Sequence, residues 1–357
     1  MRVTWGEEHL WRITSLTRND GGMNPAEDLR RLLLSYRISQ AIHVAAVLGL
    51  SDRLADGPQS ATELARSTGS HARSLYRLLR ALATVGVYEE LDGERFRNTP
   101  LSEALRPDAP ASIAGHAAFI GRPYHWQIWS ALLHSVRTGE NAFLHVHGQT
   151  AWEYRQQHPD EGAIFDHAMT TQSRLTAAAV LDAYDYGRFT TVVDVAGGRG
   201  AFLAAVLGRW PHLRGVLFDQ PHVVADASDL LRGAGVLDRC QVVAGDFFES
   251  VPGGADAYVL KHIIHDWRDD EAIAILRACH ACIDGTATLQ LIERVMPAAG
   301  EKGSVDASFS DLNMLVGPGG QERTEAEHAT LLAAGGFQLV KVVPTATDES
   351  VIEAVPV

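Results

Sequence analysis

The chain has 357 residues, too many for one hydrophobic core, so we expect two or three domains. Its net charge of −13 argues against general binding to nucleic acids or anionic membranes, because either partner would require a basic face. The three cysteines are an odd and sparse set, which excludes a disulfide framework and favours a reducing compartment, so we expect a cytoplasmic protein.

The first 22 residues contain tryptophans and acidic residues and lack the apolar core of a signal peptide. No stretch of the chain reaches about 18 consecutive apolar residues, so no membrane span is expected. Gly21-Gly22 marks a break in the pattern. We therefore interpret residues 1–22 as an N-terminal extension.

The next region is helical and ends in a hairpin. The run LRRLLLSYRISQAIHVAAVLGL predicts one long helix with an apolar stripe. Ser60 and Glu63 form the capping box of a short helix, and Gly69-Ser70 is predicted to cap a second helix. Apolar and polar residues alternate on both sides of an Asp92-Gly93 turn, which is typical of a β-hairpin wing.

This winged-helix pattern occupies residues 23–108, and two functions are open to it: DNA binding, or packing and dimerisation. Residues 51–100 contain seven arginines and seven acidic residues, so their net charge is zero. A DNA-binding face would be basic. We therefore favour a dimerisation domain. Residues 109–185 are again helical and rich in large aromatic side chains, which predicts a helical linker that helps to build a substrate pocket.

From residue 186 to 357, predicted strands and helices alternate. The sequence TVVDVAGGRGAF (residues 191–202) predicts a buried strand, a tight turn of small residues and a helix. Further strands, a helix capped by Thr324 and Glu327, and a closing hairpin follow. The fold class is therefore α/β: a doubly wound, Rossmann-like sheet of about seven strands, preceded by a mainly helical winged-helix domain.

The small-residue turn distinguishes between two cofactors. A dinucleotide fingerprint that begins at Gly198 and Gly200 would place Leu203 where a third small residue is needed. The loop D-x-G-x-G-x-G, which binds S-adenosylmethionine in class I methyltransferases, fits better, with Ala196 in place of its first glycine. Because a Cβ restricts φ, we expect Ala196 to have an ordinary backbone conformation. A glycine-rich turn without a ligand remains the alternative.

The ends of the next two strands supply polar groups for the same ligand. Asp219 ends the second strand, 25 positions after Asp194, where a carboxylate can accept both ribose hydroxyls. Asp246 and Phe247 follow the third strand and can bind the amino group of adenine and cover its ring. Each residue alone would equally suit an ordinary turn or core.

The fourth strand leads into KHIIHDW, residues 261–267, beside the predicted cofactor loop. An imidazole with a pKa of about 6.5 can take the proton of a phenol, whose pKa is about 10. This predicts His265 as a base. Glu293, after the fifth strand, and Glu322, on a neighbouring loop, can fix its tautomer and stabilise its cation. The alternative is a core histidine with two surface acids.

We expect no metal site. His262 and His265 are three positions apart, but no third ligand is evident. A single Cys279-x-x-Cys282 pair is weak evidence for zinc.

Six motifs in this order carry a resemblance: VDVAGGRG, LFDQP, GDFFE, LKHIIHDW, IERVMP and GGQERTEAE. Together they resemble the small-molecule O-methyltransferases of the plant caffeate and bacterial antibiotic type. The segment SATELARSTGSHARSLYRLLRALATVGVYEE is similar to the winged-helix dimerisation domain of that family. The resemblance covers roughly residues 30–355. It implies a homodimer, S-adenosylmethionine as cofactor, S-adenosylhomocysteine as product and a small-molecule acceptor. The net charge of −13 leads us to expect neither nucleic acid nor membrane as a partner.

The resemblance also implies three groups of site residues. The cofactor residues are Asp194, Gly197, Gly198, Gly200, Asp219, Asp246, Phe247, Lys261 and Ser173. The catalytic residues are the base His265 with Glu293, Glu322 and Asp266. The acceptor-binding residues are Met169, Asn313, Met314, Phe165 and Trp126.

The predicted reaction moves a methyl group in line to a hydroxyl, expected to be phenolic, of a small aromatic or polyketide-like secondary metabolite. Three alternatives stay open: non-methylating chemistry on the same cofactor (hydroxylation, decarboxylation or a pericyclic reaction), transfer to an amine nitrogen, and a winged-helix DNA-binding regulator.

Overall fold

The computed structural model describes residues 24–283 and 285–357. The chain forms two compact units, one that ends at Pro110 and one that begins at Ala111. The predicted N-terminal extension, residues 1–22, lies outside the described residues.

The N-terminal unit is helical with a small antiparallel sheet. Its elements are α1 (Pro25–Leu34), α2 (Tyr36–Val47), α3 (Leu50–Arg53), β1 (Gln59–Ser60), α4 (Ala61–Thr68), α5 (Ala72–Thr84), β2 (Tyr88–Leu91), β3 (Arg95–Asn98) and α6 (Pro100–Glu103). The strands pair in the order β1, β3, β2. The hairpin predicted around Asp92-Gly93 and the capping box of Ser60 and Glu63 are confirmed.

Two local predictions in this unit are wrong. The long helix is interrupted at Ser35, whose N–H and hydroxyl both donate to the carbonyl of Leu32, at 3.1 and 2.7 Å. A hydroxyl that bonds to the preceding turn competes with the helical pattern, so α1 and α2 are separate. Gly69 ends α4 with φ 66°, and His71 is the residue that precedes α5, so Gly69-Ser70 does not cap the second helix.

The C-terminal unit begins with six helices: α7 (Ala114–Ile120), α8 (Pro123–Ser130), α9 (Leu132–Thr138), α10 (Ala142–His147), α11 (Ala151–Gln157) and α12 (Pro159–Ala183). Phe119, Tyr124 and Phe143 are buried in one cluster with Val316, which lies much later in the chain. These helices therefore share a core with the sheet-bearing part of the unit.

Strands and helices then alternate. The strands are β4 (Thr191–Val195), β5 (Arg214–Asp219), β6 (Cys240–Ala244), β7 (Ala257–Lys261), β8 (Thr288–Met296), β9 (Arg323–Thr324), β10 (Phe337–Pro344) and β11 (Glu349–Pro356). The helices are α13 (Ala201–Arg209), α14 (Pro221–Val224), α15 (Ala227–Gly233), α16 (Asp269–Cys282), α17 (Val305–Val316) and α18 (Glu325–Ala334). Short 3₁₀ turns cover Tyr186–Arg188, Leu237–Arg239 and Ile264–Asp266.

The main sheet has the strand order β10, β11, β8, β7, β4, β5, β6, and the short β9 pairs with the end of β8. Strands β4 to β8 are parallel, and the β10–β11 hairpin is antiparallel. The chain runs from β4 to β6 on one side and returns to β7 and β8 on the other. Open α/β sheets bind ligands at such a reversal, outside the carboxyl ends of the strands. The predicted doubly wound α/β fold is confirmed.

Helices cover both faces of this sheet, because successive side chains of a strand point to opposite faces. Val192 belongs to a buried cluster with Val206 of α13, whereas Val193 belongs to a second cluster with Ile275 of α16. This explains why the strand sequences are continuously apolar rather than alternating. Among residues 24–283 and 285–357, no helix combines the length and the hydropathy that a bilayer span requires.

Candidate functional site

Backbone hydrogen bonds hold the loop after β4 against the end of β5. The N–H of Gly197 donates to the carbonyl of Phe218 at 3.2 Å, and that of Gly200 donates to the carbonyl of Gly197 at 3.0 Å. The N–H of Gly198 donates to Oδ2 of Asp219 at 2.8 Å. Gly198 has φ 62°, and a Cβ there would meet no atom within 4 Å. The turn thus presents bare backbone to a ligand.

Ala196 has φ 55°, so the prediction that it has an ordinary backbone conformation is wrong. The left-handed region costs a residue with a Cβ about 1–2 kcal/mol. The hydrogen bonds of the neighbouring glycines hold the turn in spite of that cost. Ala196 also lines the cavity described in the next paragraph.

A cavity of about 690 Å³ lies at the carboxyl ends of the parallel strands. It is bounded by α11 and α12 and by the loops after β4, β5, β6 and β7. The predicted site residues on its wall are Phe165, Met169, Ser173, Asp194, Gly197, Gly198, Asp219, Asp246, Phe247, Lys261 and Asp266.

The remaining predicted residues lie off this wall. Gly200 is the N-cap residue that precedes α13, and the side chains of Leu217 and Leu231 lie next to it. Trp126 lies on α8, and Asn313 and Met314 lie on α17. The structure therefore does not bring these three acceptor-binding candidates to the cavity. The others off the wall are His265, Glu293 and Glu322.

Asp194 is a buried carboxylate at the cofactor loop, with 1% of its surface exposed. Its Oδ2 has no hydrogen-bond partner among the described residues. Burial raises the pKa of Asp194 to about 7, which the charge of Lys261 partly offsets. Burial likewise lowers the pKa of Lys261 to about 8, and Asp194 opposes that shift. An orphaned carboxylate oxygen in such a place fits a ligand with a cationic amino group, which S-adenosylmethionine carries.

His265, Glu293 and Glu322 form a buried cluster directly behind the wall. Nδ1 of His265 lies 3.0 Å from Oε1 of Glu322 and 3.4 Å from Oε2 of Glu293. Nε2 lies on the other side of the ring, 3.7 Å from Oδ1 of Asp266. Because Asp266 lines the cavity, the imidazole is one side chain away from it.

Hydrogen bonds fix both carboxylates around Nδ1. Oε1 of Glu293 accepts from the N–H groups of Ile263 and Ile264 at 3.0 and 2.9 Å. Oε1 of Glu322 accepts from the hydroxyl of Ser310 at 2.6 Å. Glu293 lies within β8 rather than after it, because pairing with β11 extends β8 beyond the end of β7. With two carboxylates at Nδ1, the hydrogen of a neutral ring belongs on that atom, which leaves Nε2 as the basic nitrogen.

The charges of this cluster are strongly coupled. Burial disfavours the imidazolium, but Glu293, Glu322 and Asp266 outweigh it and raise the pKa of His265 to about 10. Burial raises the pKa of Glu293 to about 7 and that of Asp266 to about 6, and His265 opposes both shifts. Burial would also raise the pKa of Glu322, but His265 and Ser310 lower it to about 2. Glu322 therefore stays ionised and stabilises the protonated ring of His265.

A second ionic network, missed in the sequence analysis, flanks this cluster. Nε2 of His262 lies 3.4 Å from Oε1 of Glu349, and the rings of His262 and His265 are 5.5 Å apart. Arg294 lies 3.4 Å from Glu349 and 3.8 Å from Glu322. Glu349 and Arg294 are opposite each other in β11 and β8. Charged residues in largely apolar strands were the signal that could have revealed them.

Arg323, also missed, ties the turn that carries His265 to β9. Its side chain is 1% exposed and donates to the carbonyls of Ile264 and Trp267 at 3.0 and 2.9 Å. It also pairs with Asp269 at 2.8 Å. Two consecutive residues thus act on His265: Glu322 supplies a carboxylate to its ring, and Arg323 holds the turn that carries it. The GGQERT motif contains Arg323, but the motif alone does not show which groups this arginine contacts.

Aromatic rings line the cavity beside Asp266. The rings of Trp152 and Trp267 are 6.0 Å apart and nearly parallel, at 18°. Phe165 packs edge-on against Trp152 at 6.1 Å, and Phe247 packs edge-on against Trp267 at 5.8 Å. Such walls fit a flat aromatic molecule.

Among the described residues, His265, Glu293 and Glu322 are the one group whose ligand atoms, all within 4.8 Å of one another, have the spacing of a metal site. Oε1 of each glutamate already accepts hydrogen bonds, and the guanidinium of Arg294, 3.8 Å from Oε1 of Glu322, would repel a metal ion. We therefore interpret the group as an acid–base cluster.

Comparison with known proteins identifies the family. Residues 129–338 match the O-methyltransferase domain, and residues 30–108 match the O-methyltransferase dimerisation domain. The chain is 42% identical to mitomycin biosynthesis 6-O-methyltransferase of Streptomyces lavendulae over 307 residues, 86% of this chain and 87% of that protein. It is 40% identical to phenazine O-methyltransferase PhzM of Lysobacter antibioticus over 344 residues, 96% of this chain and 100% of that protein.

The likeness extends to three-dimensional structure. The O-methyltransferase NcsB1 from neocarzinostatin biosynthesis, in complex with S-adenosylmethionine and 2-hydroxy-5-methyl naphthoic acid, matches with a TM-score of 0.77 and 32% identity. That match covers 94% of this chain and 100% of the NcsB1 chain. The chain belongs to the O-methyltransferase family and is an S-adenosylmethionine-dependent O-methyltransferase of secondary metabolism, with a dimerisation domain in its N-terminal part.

Proposed function

We propose that this enzyme methylates a phenolic hydroxyl of a small aromatic or polyketide-like metabolite, with His265 as the general base. The observation that supports this most is the buried imidazole with Glu322 and Glu293 at Nδ1, directly behind the wall of an aromatic-lined cavity. A hydroxyl that reaches Nε2 would take the place that Asp266 now has beside it.

We assign the cofactor to the loops after β4, β5 and β6. When bound, S-adenosylmethionine supplies an electrophilic methyl group on a positively charged sulfur. Asp194 would bind its amino group, Asp219 its ribose hydroxyls, and Asp246 with Phe247 its adenine. The other proposed contacts are Gly197, Gly198, Lys261 and Ser173, which share the cavity wall.

The carboxylates make His265 basic enough for its task. Moving a proton from a phenol with a pKa of about 10 to an ordinary imidazole would be uphill by about 5 kcal/mol. The raised pKa of His265, about 10, nearly balances that transfer, but near pH 7 only a small fraction of the rings is neutral and able to accept the proton. The proton moves from the acceptor hydroxyl to Nε2, and the resulting imidazolium keeps its Nδ1 hydrogen bond to Glu322. Base catalysis of this kind contributes about 10²–10⁴-fold.

We further propose the organisation of the protein. Residues 23–108 would mediate a homodimer, in accord with the match to a dimerisation domain. Residues 109–185 would contribute the acceptor pocket, and residues 186–357 would bind the cofactor. The balanced charge of residues 51–100 supports dimerisation rather than nucleic-acid binding, and nothing calls for a membrane partner. Three free thiols are in keeping with work in the cytoplasm.

The test uses S-adenosylmethionine with a labelled methyl group and a panel of polycyclic phenols, each with its amine counterpart. We expect labelled O-methyl products and equal amounts of S-adenosylhomocysteine. His265→Ala should bind the cofactor normally but lose most methyl transfer to oxygen. Turnover that is unchanged in this variant would refute the base, and transfer to the amines alone would refute the hydroxyl acceptor.

A further inference from the structure

The cavity wall contains a cation, Arg155 of α11, that the proposed function leaves without a role. Its guanidinium carbon lies 3.5 Å from the ring centroid of Phe165 and 5.2 Å from that of Trp152. It therefore belongs to the aromatic end of the cavity rather than to the glycine loop. Its Nε is buried and has no hydrogen-bond partner among the described residues.

The other cations on the wall already have partners. Arg199, in the cofactor loop, lies 3.8 Å from Asp166. Lys261 lies 3.3 Å from Nδ1 of His262 and interacts with the charge of Asp194. Asp266, the carboxylate at the aromatic end, has its ion pair with His265. Arg155 interacts with the hydroxyl of Tyr124, and its charge also acts on Asp166 and Asp266, but none of the ion pairs among the described residues includes it.

A guanidinium in a partly buried site has a defined chemical preference. Its planar fork matches a carboxylate, which it can bind through two parallel hydrogen bonds. The contact of the guanidinium with the face of Phe165 restricts the positions that this group can take. Asp166 and Asp266 line the same cavity and would repel an anion. Arg155 would offset that repulsion.

We propose that Arg155 binds a carboxylate of the acceptor, so that the preferred acceptors are hydroxylated aromatic carboxylic acids. This inference rests on the proposed function, because it specifies the acceptor of that reaction. The cofactor also carries a carboxylate, and Arg199 is the cation that lies in the cofactor loop itself. We therefore assign Arg155 to the acceptor and Arg199 to the cofactor end.

The experiment compares hydroxynaphthoic acids with their methyl esters, which keep the ring and hydroxyl but lose the charge. The ratio of kcat/KM for acid over ester is measured in the wild type, in Arg155→Met and in Arg155→Lys. We expect the wild type to prefer the acids. Arg155→Met should lower the ratio by about 30-fold or more, because a buried charge loses its partner. Arg155→Lys, which keeps the charge but loses the fork, should give an intermediate ratio.

Arg174→Met is the matched control, since Arg174 is exposed on α12 and lies off the cavity wall. Its ratio should equal that of the wild type. A wild-type enzyme that treats acids and esters alike would overturn the inference, and this outcome needs no variant to fold.

Titration calorimetry shows whether Arg155 binds the carboxylate of the acceptor or that of the cofactor. Arg155→Met should bind S-adenosylmethionine and S-adenosylhomocysteine as the wild type does, but should bind the acids more weakly in the S-adenosylhomocysteine complex. Weaker cofactor binding with an unchanged acid-to-ester ratio would assign Arg155 to the cofactor and overturn the inference. If the acids bind through Arg155 but no compound is methylated, the inference is supported and the proposed function fails.

Discussion

Replacing Glu322 by glutamine removes a negative charge at Nδ1 of His265 and keeps an oxygen that can accept its hydrogen bond. Glu322 is the nearest carboxylate, at 3.0 Å. Against the effect of burial, Glu293, Glu322 and Asp266 raise the pKa of His265 from 6.5 to about 10. That difference corresponds to about 5 kcal/mol of proton affinity, and we assign roughly half of it, about 2–3 kcal/mol, to Glu322.

In the Glu322→Gln variant, His265 should therefore be a weaker base that loses its proton at lower pH. The rise of kcat/KM with pH should move down by about two pH units. The plateau should fall roughly 30- to 150-fold if the proton is fully transferred in the transition state. The loss should be greatest near pH 10 and should shrink toward neutral pH, because there a larger fraction of the imidazole is uncharged in the variant than in the wild type.

The assay measures initial rates of S-adenosylhomocysteine formation from about pH 6.5 to 10.5 at saturating cofactor. Two phenols of different acidity separate the ionisation of the acceptor from that of the enzyme. Glu325→Gln is the matched control, because Glu325 is exposed three residues further along the chain. An equal loss at every pH, or no loss at all, would refute the claim that Glu322 tunes the base.

Three further changes test the surroundings of the site. Arg323→Met should lower the free energy of unfolding by about 2–4 kcal/mol, because two buried carbonyls lose their donors, and should also lower kcat; a normal kcat and melting temperature would show that the turn holds without it. Ala196→Gly should relieve about 1 kcal/mol of backbone strain, partly offset by a more flexible unfolded chain, and should raise the melting temperature slightly; a fall would contradict the strain. The charged His265 should stabilise the fold fully below about pH 6.5 and lose this effect as the pH rises through about 10, so His265→Gln should flatten the unfolding free energy over this range, and parallel curves would argue against the raised pKa.

Much of the fold could be predicted from local patterns of residues that are close together in the sequence. Apolar runs predicted the parallel strands, because both faces of each strand are covered. Thr324 and Glu327 predicted the start of α18, because a capping box is formed by residues three apart. The same local reasoning was wrong at Ser35, where a hydroxyl competes with the helix, and at Ala196, where the bonding of the whole loop decides φ.

The site depends instead on contacts between distant residues. His265 and Glu322 are 57 positions apart; the order of strands and loops suggested that they could meet, but it did not give the distance or the nitrogen involved. Arg294 and Glu349 meet through the register of β8 and β11, which apolar patterns do not determine. Arg155 lies on a short helix whose sequence contains no functional motif. Its proposed role follows from its position on the cavity wall.

The most direct test of the central claim is the distance from Nε2 of His265 to the acceptor oxygen in a crystal structure with S-adenosylhomocysteine and an acceptor. We predict a distance of about 2.6–3.2 Å. Asp266, now 3.7 Å from that nitrogen, should be displaced. An acceptor oxygen held by other residues, with Asp266 still between it and the imidazole, would contradict the assignment of His265 as the base.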